Sequence, residues 1–369
     1  MKKVLVLTSS RADFGIYFPL LTKMKASKKI DLSILAFGTH LSKFHGYTLD
    51  QIRESGLEVD YTISSLVLGD TAGDIANSYA LTAQKFADFW SLHSNDFDLV
   101  FVLGDRFEMA AAVSAGIPFN INFAHIHGGE TTLGAIDNIY RHSISLASKW
   151  HFVSLTDFNS RLESILDNKD NIYTVGALSL DNIKEIPLLG LDEFHTKWQI
   201  NLAKPTILIT VHPETVASAI NKFYAEELYK SLSVLANDYQ LVITMPNADT
   251  LGSLYRAQYD KLKKDFTSRV FLIENFGTSS YLTAMKYASL MLGNTSSGII
   301  EAASFQKFVI NIGDRQKGRK AGDNVYHVIF NSEAIIQAVK DIENKTYQGE
   351  NIYHKGDAAD QIIQVIEKL

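Results

Sequence analysis

The chain of 369 residues contains no cysteine. That excludes a disulfide framework, a thiolate metal site and a thiol nucleophile. Proline is sparse, six residues in all, and there is no low-complexity tract or repeat of solenoid period, so neither a proline-rich linker nor a repeat array is indicated. Positive charge is also short. The formal net charge is −6, whereas a surface that tracks nucleic-acid phosphates needs a basic excess; one local anion pocket remains compatible with that balance. No apolar run approaches the roughly 18 residues of a membrane span. The opening "MKKVLVLTSSRADFG" has the lysines and short apolar run of a signal peptide, but the run is strand-length, turns polar at once and is followed by no small-residue cleavage pattern. The expectation is a cytoplasmic protein, bacterial in style, that binds neither nucleic acid nor membrane.

What is present is globular. Hydrophobic residues make up 46% and charged residues 21%, which excludes a largely disordered chain, and the length predicts two domains. In the first half, the strand-like runs "KVLVLTS", "DLSILAFG", "DLVFVLGD", "INFAHIHGG", "WHFVSL" and "NIYTVG" alternate with helical patterns such as "DIANSYALTAQKFADFWSLHS". The segment "GALSLDNIKEIPLLGLDEFHTKWQINLAKP" interrupts the rhythm and reads as the crossing between domains, with a short helix at 191–200. A second series follows in "TILITVHPE", "YQLVITMPNAD", "RVFLIENFG", "LMLGNTSSG" and "KFVINIGD". Alternation of this kind predicts right-handed βαβ units and parallel sheets covered on both faces. The expected fold class is α/β, with two doubly wound domains over 1–178 and 179–357 and a helix at 358–369 that packs back on one of them, the N-terminal domain in our assignment. Ligands of such sheets bind beyond the carboxyl ends of the strands, so the chemistry is expected in loops after strands, facing a cleft between the two sheets.

Those loops carry polar residues of the right kinds. "SSRADFG" puts Arg11 where a loop opens a helix, able to fork two donors onto a phosphate; a surface arginine in a turn is the alternative. The loop lacks G-x-G-x-x-G, so a nicotinamide dinucleotide is not indicated. Asp105 and Arg106 follow "DLVFVLG", and Asp105 reads either as an acid/base group or as a helix cap. "HIHGGE" delivers Glu130 after the next strand, and Asp137 opens the helix "IDNIYRHSISLAS", again with capping as the alternative; His127 and His142 read as structural histidines. In the second half His212 stands at a strand exit before Pro213, which cannot extend a ladder. Asn247 and Asp249 in "MPNADT" are polar loop groups or turn formers. "LGNTSSGIIEAAS" is the sharpest signal: Ser296, Ser297 and Gly298 follow a strand and open a helix, an anion site without the lysine of a Walker loop. Glu301 lies one turn on from Ser297 and can accept from a ribose diol. A Ser-capped helix with a surface glutamate is the alternative there. Arg315, Lys317 and Arg319 in "NIGDRQKGRKAGDN" are phosphate donors or a solvated charge run.

Together these motifs resemble the hydrolysing UDP-N-acetylglucosamine 2-epimerases of the sialic acid pathway. The resemblance runs in order through "SSRADFG", "VLGDRFE", "HIHGGE", "IDNIYRH", "VHPET", "PNAD", "GNTSSGIIEA" and "NIGDRQKGR", across about the first 325 residues. It implies a GT-B fold of two Rossmann-like domains, with the nucleotide held mainly by the second. It also implies cleavage of UDP-N-acetylglucosamine to N-acetylmannosamine and UDP without metal or other cofactor, and a homodimer or homotetramer. By matching motif, Asp105, Glu130 and Asp137 resemble the acid/base carboxylates and His212 the diphosphate-side histidine. Arg11, Asn247, Ser296, Ser297, Gly298 and Arg319 are assigned to the nucleotide side, with Glu301 on the ribose. His127 stands where non-hydrolysing relatives carry an acidic residue in a "V-E-A-G" loop, which favours the hydrolysing branch. Asn138 stands where many members have a second acidic residue. "TLGAID" and "GALSLDNI" also resemble the branch that acts on UDP-2,4-diacetamido-2,4,6-trideoxyglucose in legionaminic acid synthesis, the close alternative. A GT-B glycosyltransferase is a more distant one.

The chemistry explains why several carboxylates are wanted. The C2 hydrogen of the sugar has no adjacent carbonyl and becomes acidic only as the diphosphate leaves C1. In an α-linked gluco sugar that hydrogen and the diphosphate lie on opposite faces, so anti elimination to a glycal and hydration to the manno product call for proton transfer on both faces of C2. One group does not easily serve both.

Overall fold

The computed structural model describes residues 1–216, 218–246 and 251–369. Asn247 and Asp249 of the "PNAD" motif lie outside the described residues. In chain order the elements are β1 (Lys2–Thr8), α1 (Arg11–Ala26), β2 (Ile30–Phe37), α2 (Leu49–Glu54), β3 (Tyr61–Ile63), α3 (Ala72–His93) and β4 (Leu99–Leu103). Then come α4 (Phe107–Gly116), β5 (Phe123–Ile126), α5 (Asp137–Ala147), β6 (Ser148–Val153), α6 (Thr156–Leu166), β7 (Ile172–Thr174) and α7 (Asp181–Glu185). The second series is α8 (Leu191–Trp198), β8 (Thr206–Thr210), α9 (Asn221–Leu235), β9 (Gln240–Thr244), α10 (Gly252–Asp265), β10 (Val270–Ile273) and α11 (Gly277–Tyr287). It ends with β11 (Leu290–Gly293), α12 (Ser296–Ile300), β12 (Val309–Ile312), β13 (Val325–Val328), α13 (Ser332–Ile342) and α14 (Ala358–Ile366).

All paired strands run parallel. The first sheet has the order β3-β2-β1-β4-β5-β6-β7 and the second β10-β9-β8-β11-β12-β13. Each reverses direction of winding at its first strand, and a reversal of this kind is the switch point that opens a binding crevice beyond the strand ends. The central strands are apolar runs buried on both faces, as helix-covered parallel sheets require. The edge strands β3 and β13 are short and only half-buried; their few residues carry no apolar run, and the sequence pattern does not reveal them.

The chain divides into two compact units, one of Met1–Glu130, Asp137–Glu185 and Tyr353–Leu369, the other of Thr131–Ile136 and Ile186–Ile352. These units divide at 185/186 and 352/353, where 178/179 and 357/358 were expected. The reason is local bonding. Asn182 donates to the Gly15 carbonyl at 2.6 Å, and the buried carboxylate of Asp181 accepts from the backbone N–H groups of Ala358 and Ala359 at 3.2 and 2.7 Å. Asp181 thereby supplies the N-terminal cap of α14 from a distant part of the chain. Ala358, Ala359, Ile362 and Ile366 bury that helix in the core of the first unit.

Thr131–Ile136 is short and is tied into the second unit by hydrogen bonds from two backbone N–H groups. The Leu133 N–H donates to the Lys317 carbonyl at 3.0 Å and the Ile136 N–H to Thr215 Oγ1 at 2.9 Å. A side chain at Gly134 would run into the Asp314 carbonyl.

Candidate active site

In the first unit the loops after β4 and β5 converge on one buried arginine. Gly104, with φ +77°, turns the chain out of β4. The N-cap of α4 is then Arg106, without a side-chain cap bond, so Asp105 is not spent on capping. Its carboxylate, about a quarter exposed, accepts instead from Nη2 of Arg141 on α5. Arg141 is 2% exposed. Its Nη1 donates to the His127 carbonyl at 3.1 Å and lies 3.7 Å from Glu130 Oε2.

Glu130 is 1% exposed. Its Oε1 accepts from Ser154 Oγ at 3.0 Å and lies 2.7 Å from His127 Nδ1. The turn that delivers it is tight: His127 has φ +66°, and a Cβ at Gly129, with φ +74°, would collide with the Phe158 carbonyl. Only glycine fits there, which is the physical content of the "HGG" signature. Asp137 is the first residue of α5 and half-buried. Arg11 is the first residue of α1, also half-buried, beside a cap in which Asp13 accepts from Ser9 and Ser10 while Ser10 accepts from the Asp13 N–H.

Neighbouring histidines are held neutral. Burial pushes His125 down to about 3 and His151 to about 4, and burial next to Arg141 and Arg161 lowers His142. Arg106 is also committed, with Nε and Nη2 donating to Glu108 at 3.1 and 3.0 Å. Burial nevertheless raises the Glu108 carboxyl.

In the second unit two buried asparagines build the turn that carries His212. Asn294 accepts from the His212 N–H at 2.7 Å and donates to the His212 carbonyl at 2.8 Å. Asn221 does the same for Glu214, at 3.0 and 2.9 Å. Each amide thus replaces a missing strand partner on both sides of Pro213. The Asn294 carbonyl in turn accepts from Gln316 Nε2 at 2.9 Å and Arg315 Nη1 at 3.4 Å, and Glu214 Oε1 accepts from the Asp314 N–H at 2.6 Å.

The N-cap of α12 is Thr295, whose Oγ1 accepts from the Ser297 N–H at 3.4 Å. Ser296 and Ser297 are therefore left for other work, and Ser297 Oγ is buried without a hydrogen-bond partner among the described residues. Gly298 packs on Val309 of β12 at 3.0 Å from where a Cβ would stand. Glu301 follows at the C-cap, its N–H donating to Ser297 O at 2.9 Å. The basic run after β12 divides: Arg319 is 8% exposed and Arg315 half-buried, whereas Lys317 lies out in solvent, paired with Asp314 at 3.4 Å. A cavity of about 410 Å³ in this unit is lined by Tyr224, Asp314, Lys317, Arg319, His327 and Phe330 among others. Among the described residues no group of three His, Asp or Glu side chains is arranged to hold a metal ion.

The family model described as UDP-N-acetylglucosamine 2-epimerase matches residues 22–367. The chain belongs to that family. Relatives within reach include the Campylobacter jejuni GDP/UDP-N,N'-diacetylbacillosamine 2-epimerase (hydrolyzing), 33% identical over 347 residues that cover 94% of this chain and 89% of the relative. Polysialic acid biosynthesis protein P7 of Escherichia coli is 30% identical over 372 residues, covering 100% of this chain and 94% of the relative. The solved structure of Neisseria meningitidis UDP-GlcNAc 2-epimerase bound to UDP-GlcNAc superposes with a TM-score of 0.83 over 100% of both chains at 19% identity. The fold is accordingly the GT-B-like fold of two Rossmann-like domains.

Within this epimerase fold, Asp105 and Glu130 meet on Arg141 in the first unit. In the second, His212, Asn294, Arg315 and Gln316 form one bonded group, with Ser296 and Ser297 two and three residues after Asn294. Sequence reasoning missed Arg141, Ser154, Asn294, Asn221 and Gln316. Arg141 sat inside the quoted "IDNIYRH", but its role depends on a partner 36 positions away. Asn294 sat inside "GNTSSG" and was legible only as part of an anion loop.

Proposed function

We propose that the protein is a hydrolysing 2-epimerase that converts UDP-N-acetylglucosamine and water to N-acetylmannosamine and UDP. The observation that carries the reading is the Asp105–Arg141–Glu130 group, with Arg141 and Glu130 buried and Asp105 partly exposed, at two strand exits of a chain that belongs to this family. A buried guanidinium and carboxylate with a second carboxylate beside them are costly to keep for stability alone and are suited to a site that moves protons.

In this reading the first unit supplies the acid/base groups, Asp105, Asp137 and the Glu130 cluster. The second supplies the UDP contacts other than Arg11, which belongs to the first. Arg11, Ser296, Ser297, His212 and Arg319 stabilise the departing diphosphate, and Glu301 accepts from the ribose hydroxyls. Donors aimed at the leaving diphosphate act where negative charge develops. Loss of the diphosphate acidifies C2–H, elimination gives the 2-acetamidoglucal, and water then adds at C1 as a proton returns to the opposite face of C2.

A second substrate is favoured by a specific observation: the Campylobacter jejuni relative is named for N,N'-diacetylbacillosamine, the 2,4-diacetamido-2,4,6-trideoxy sugar, and the Legionella pneumophila relative, 31% identical over the whole chain, is too. The same elimination applies, because the two sugars differ only at C4 and C6. The test is chromatography of nucleotide products with each UDP-sugar supplied separately. Free UDP with no acceptor present supports hydrolysis. An intact UDP-manno sugar would mean a non-hydrolysing epimerase, and product only with an added acceptor would mean a transferase.

A further inference from the structure

The geometry points to His127, not Glu130, as the group that removes the proton from sugar C2, with Glu130 serving as its positioning residue; this rests on the epimerase reading above. Four observations lead there.

First, Glu130 is enclosed. It is 1% exposed, Oε1 is shared by His127 and Ser154, and Oε2 faces Arg141. A carboxylate so occupied would have to abandon three neighbours to reach a sugar carbon. Second, His127 has one ring nitrogen engaged and one left over. Nδ1 lies 2.7 Å from Glu130, whereas the buried Nε2 has no hydrogen-bond partner among the described residues. An orphaned buried polar atom is destabilising, and a reactive role is one reason for such a group to persist. Third, the carboxylate selects the tautomer. With Glu130 accepting from Nδ1–H, the neutral ring carries its lone pair on Nε2, the form a general base needs. Fourth, the backbone is held in a strained state. His127 has φ +66°, uncommon for a non-glycine residue, and its carbonyl is fixed by Arg141 Nη1 at 3.1 Å. Local strain clusters at functional positions. The guanidinium that fixes this turn also carries Asp105, so one buried residue orients both groups.

His127 Nε2 takes the C2 proton, the C2–H electron pair becomes the C1–C2 π bond, and the C1–O pair leaves with the β-phosphate oxygen of UDP. The imidazolium formed is balanced by Glu130. Its proton passes to solvent before the next cycle, while hydration adds water oxygen at C1 and a proton from another group to the opposite face of C2.

The experiment uses two variants of the full chain, His127→Asn and His127→Gly. Asparagine and glycine both tolerate the left-handed turn, so the backbone is respected, and melting curves with UDP binding check the fold. His127→Asn is expected to lower kcat by about 10²–10⁴-fold with little change in KM. Imidazole added to His127→Gly is expected to restore turnover in a concentration-dependent way, with a primary isotope effect on substrate deuterated at C2. A near-normal kcat in His127→Asn overturns the proposal, as does a folded, UDP-binding His127→Gly that imidazole does not rescue. Failure of the unsubstituted protein to release UDP from either sugar overturns the functional reading instead, so the two failures are distinguishable.

Discussion

Arg141 is the residue on which the first unit's site turns. It is 2% exposed and touches Asp105, Glu130 and the His127 carbonyl. Planar fork geometry allows one guanidinium to serve three acceptors, which an ammonium group cannot reproduce. Removing one partner of a buried ion pair leaves uncompensated charge and typically costs roughly 3–5 kcal/mol. Arg141→Met is therefore expected to destabilise the protein by about 3 kcal/mol in urea unfolding and to lower turnover at least ~100-fold. Arg141→Lys is expected to recover part of the stability and little of the turnover. Equal recovery of both would show that charge alone matters at this position. The alternatives for Asp105 also divide at this scale. Capping by Asp105 is replaced by an ion pair, because Arg106 takes the N-cap position of α4. Such an outcome depends on a long-range partner, which adjacent residues do not encode.

At the scale of elements, sites in both units stand where strands of a parallel sheet end, as the alternating rhythm of runs and helices predicts. The runs of the central strands were legible because burial on both faces leaves an unbroken apolar signal. The edge strands β3 and β13 were not, since each is short and half-exposed. Glycines at forced positions were legible as motifs but not as causes: Gly293, with φ +156°, must lack a Cβ because the Thr210 carbonyl stands against it. The clamps formed by Asn294 and Asn221 were invisible for a different reason. The partner of Asn294 lies 82 positions away and that of Asn221 seven positions away in the loop after β8, and an asparagine beside a strand exit or helix start also reads as a turn former. The role of Asn294 leads to a definite expectation. Asn294→Ala leaves the His212 N–H and carbonyl without their buried partners, a loss of roughly 1–3 kcal/mol. The variant is expected to melt lower and to bind UDP less tightly in calorimetry, whereas Asn294→Asp, which still accepts from the His212 N–H, is expected to fall between. Unchanged UDP affinity in Asn294→Ala would separate this clamp from the nucleotide site.

For the molecule as a whole, buried neutral histidines set an acid limit. Burial lowers His40 to about 4, His125 to about 3 and His151 to about 4, from an ordinary 6.5. The unfolded chain therefore binds protons that the folded chain refuses once pH drops below about 6.5, and stability is lost as pH falls from there toward the folded values. Glu108, Glu214 and Asp181 are shifted upward by burial, which acts in the opposite sense: the folded form retains protons that the unfolded carboxyls release, so these groups favour the folded state at low pH and oppose it as pH rises. The histidine effect is expected to dominate between about pH 6.5 and 5, seen as a melting temperature that declines across that window; a flat profile would mean that these rings are protonated in the folded protein.

Proton NMR in deuterated water tests the chemistry at C2 most directly. The protein is incubated with UDP-N-acetylglucosamine, and in a parallel sample with UDP-N,N'-diacetylbacillosamine. The expected result is free UDP together with a manno-configured sugar carrying deuterium at C2 from one of the two substrates, the signature of elimination followed by hydration. Release of a gluco-configured sugar that retains its C2 proton would contradict the account, because the glycosyl bond would then break without the proton transfer proposed for the Asp105, Arg141, His127 and Glu130 group.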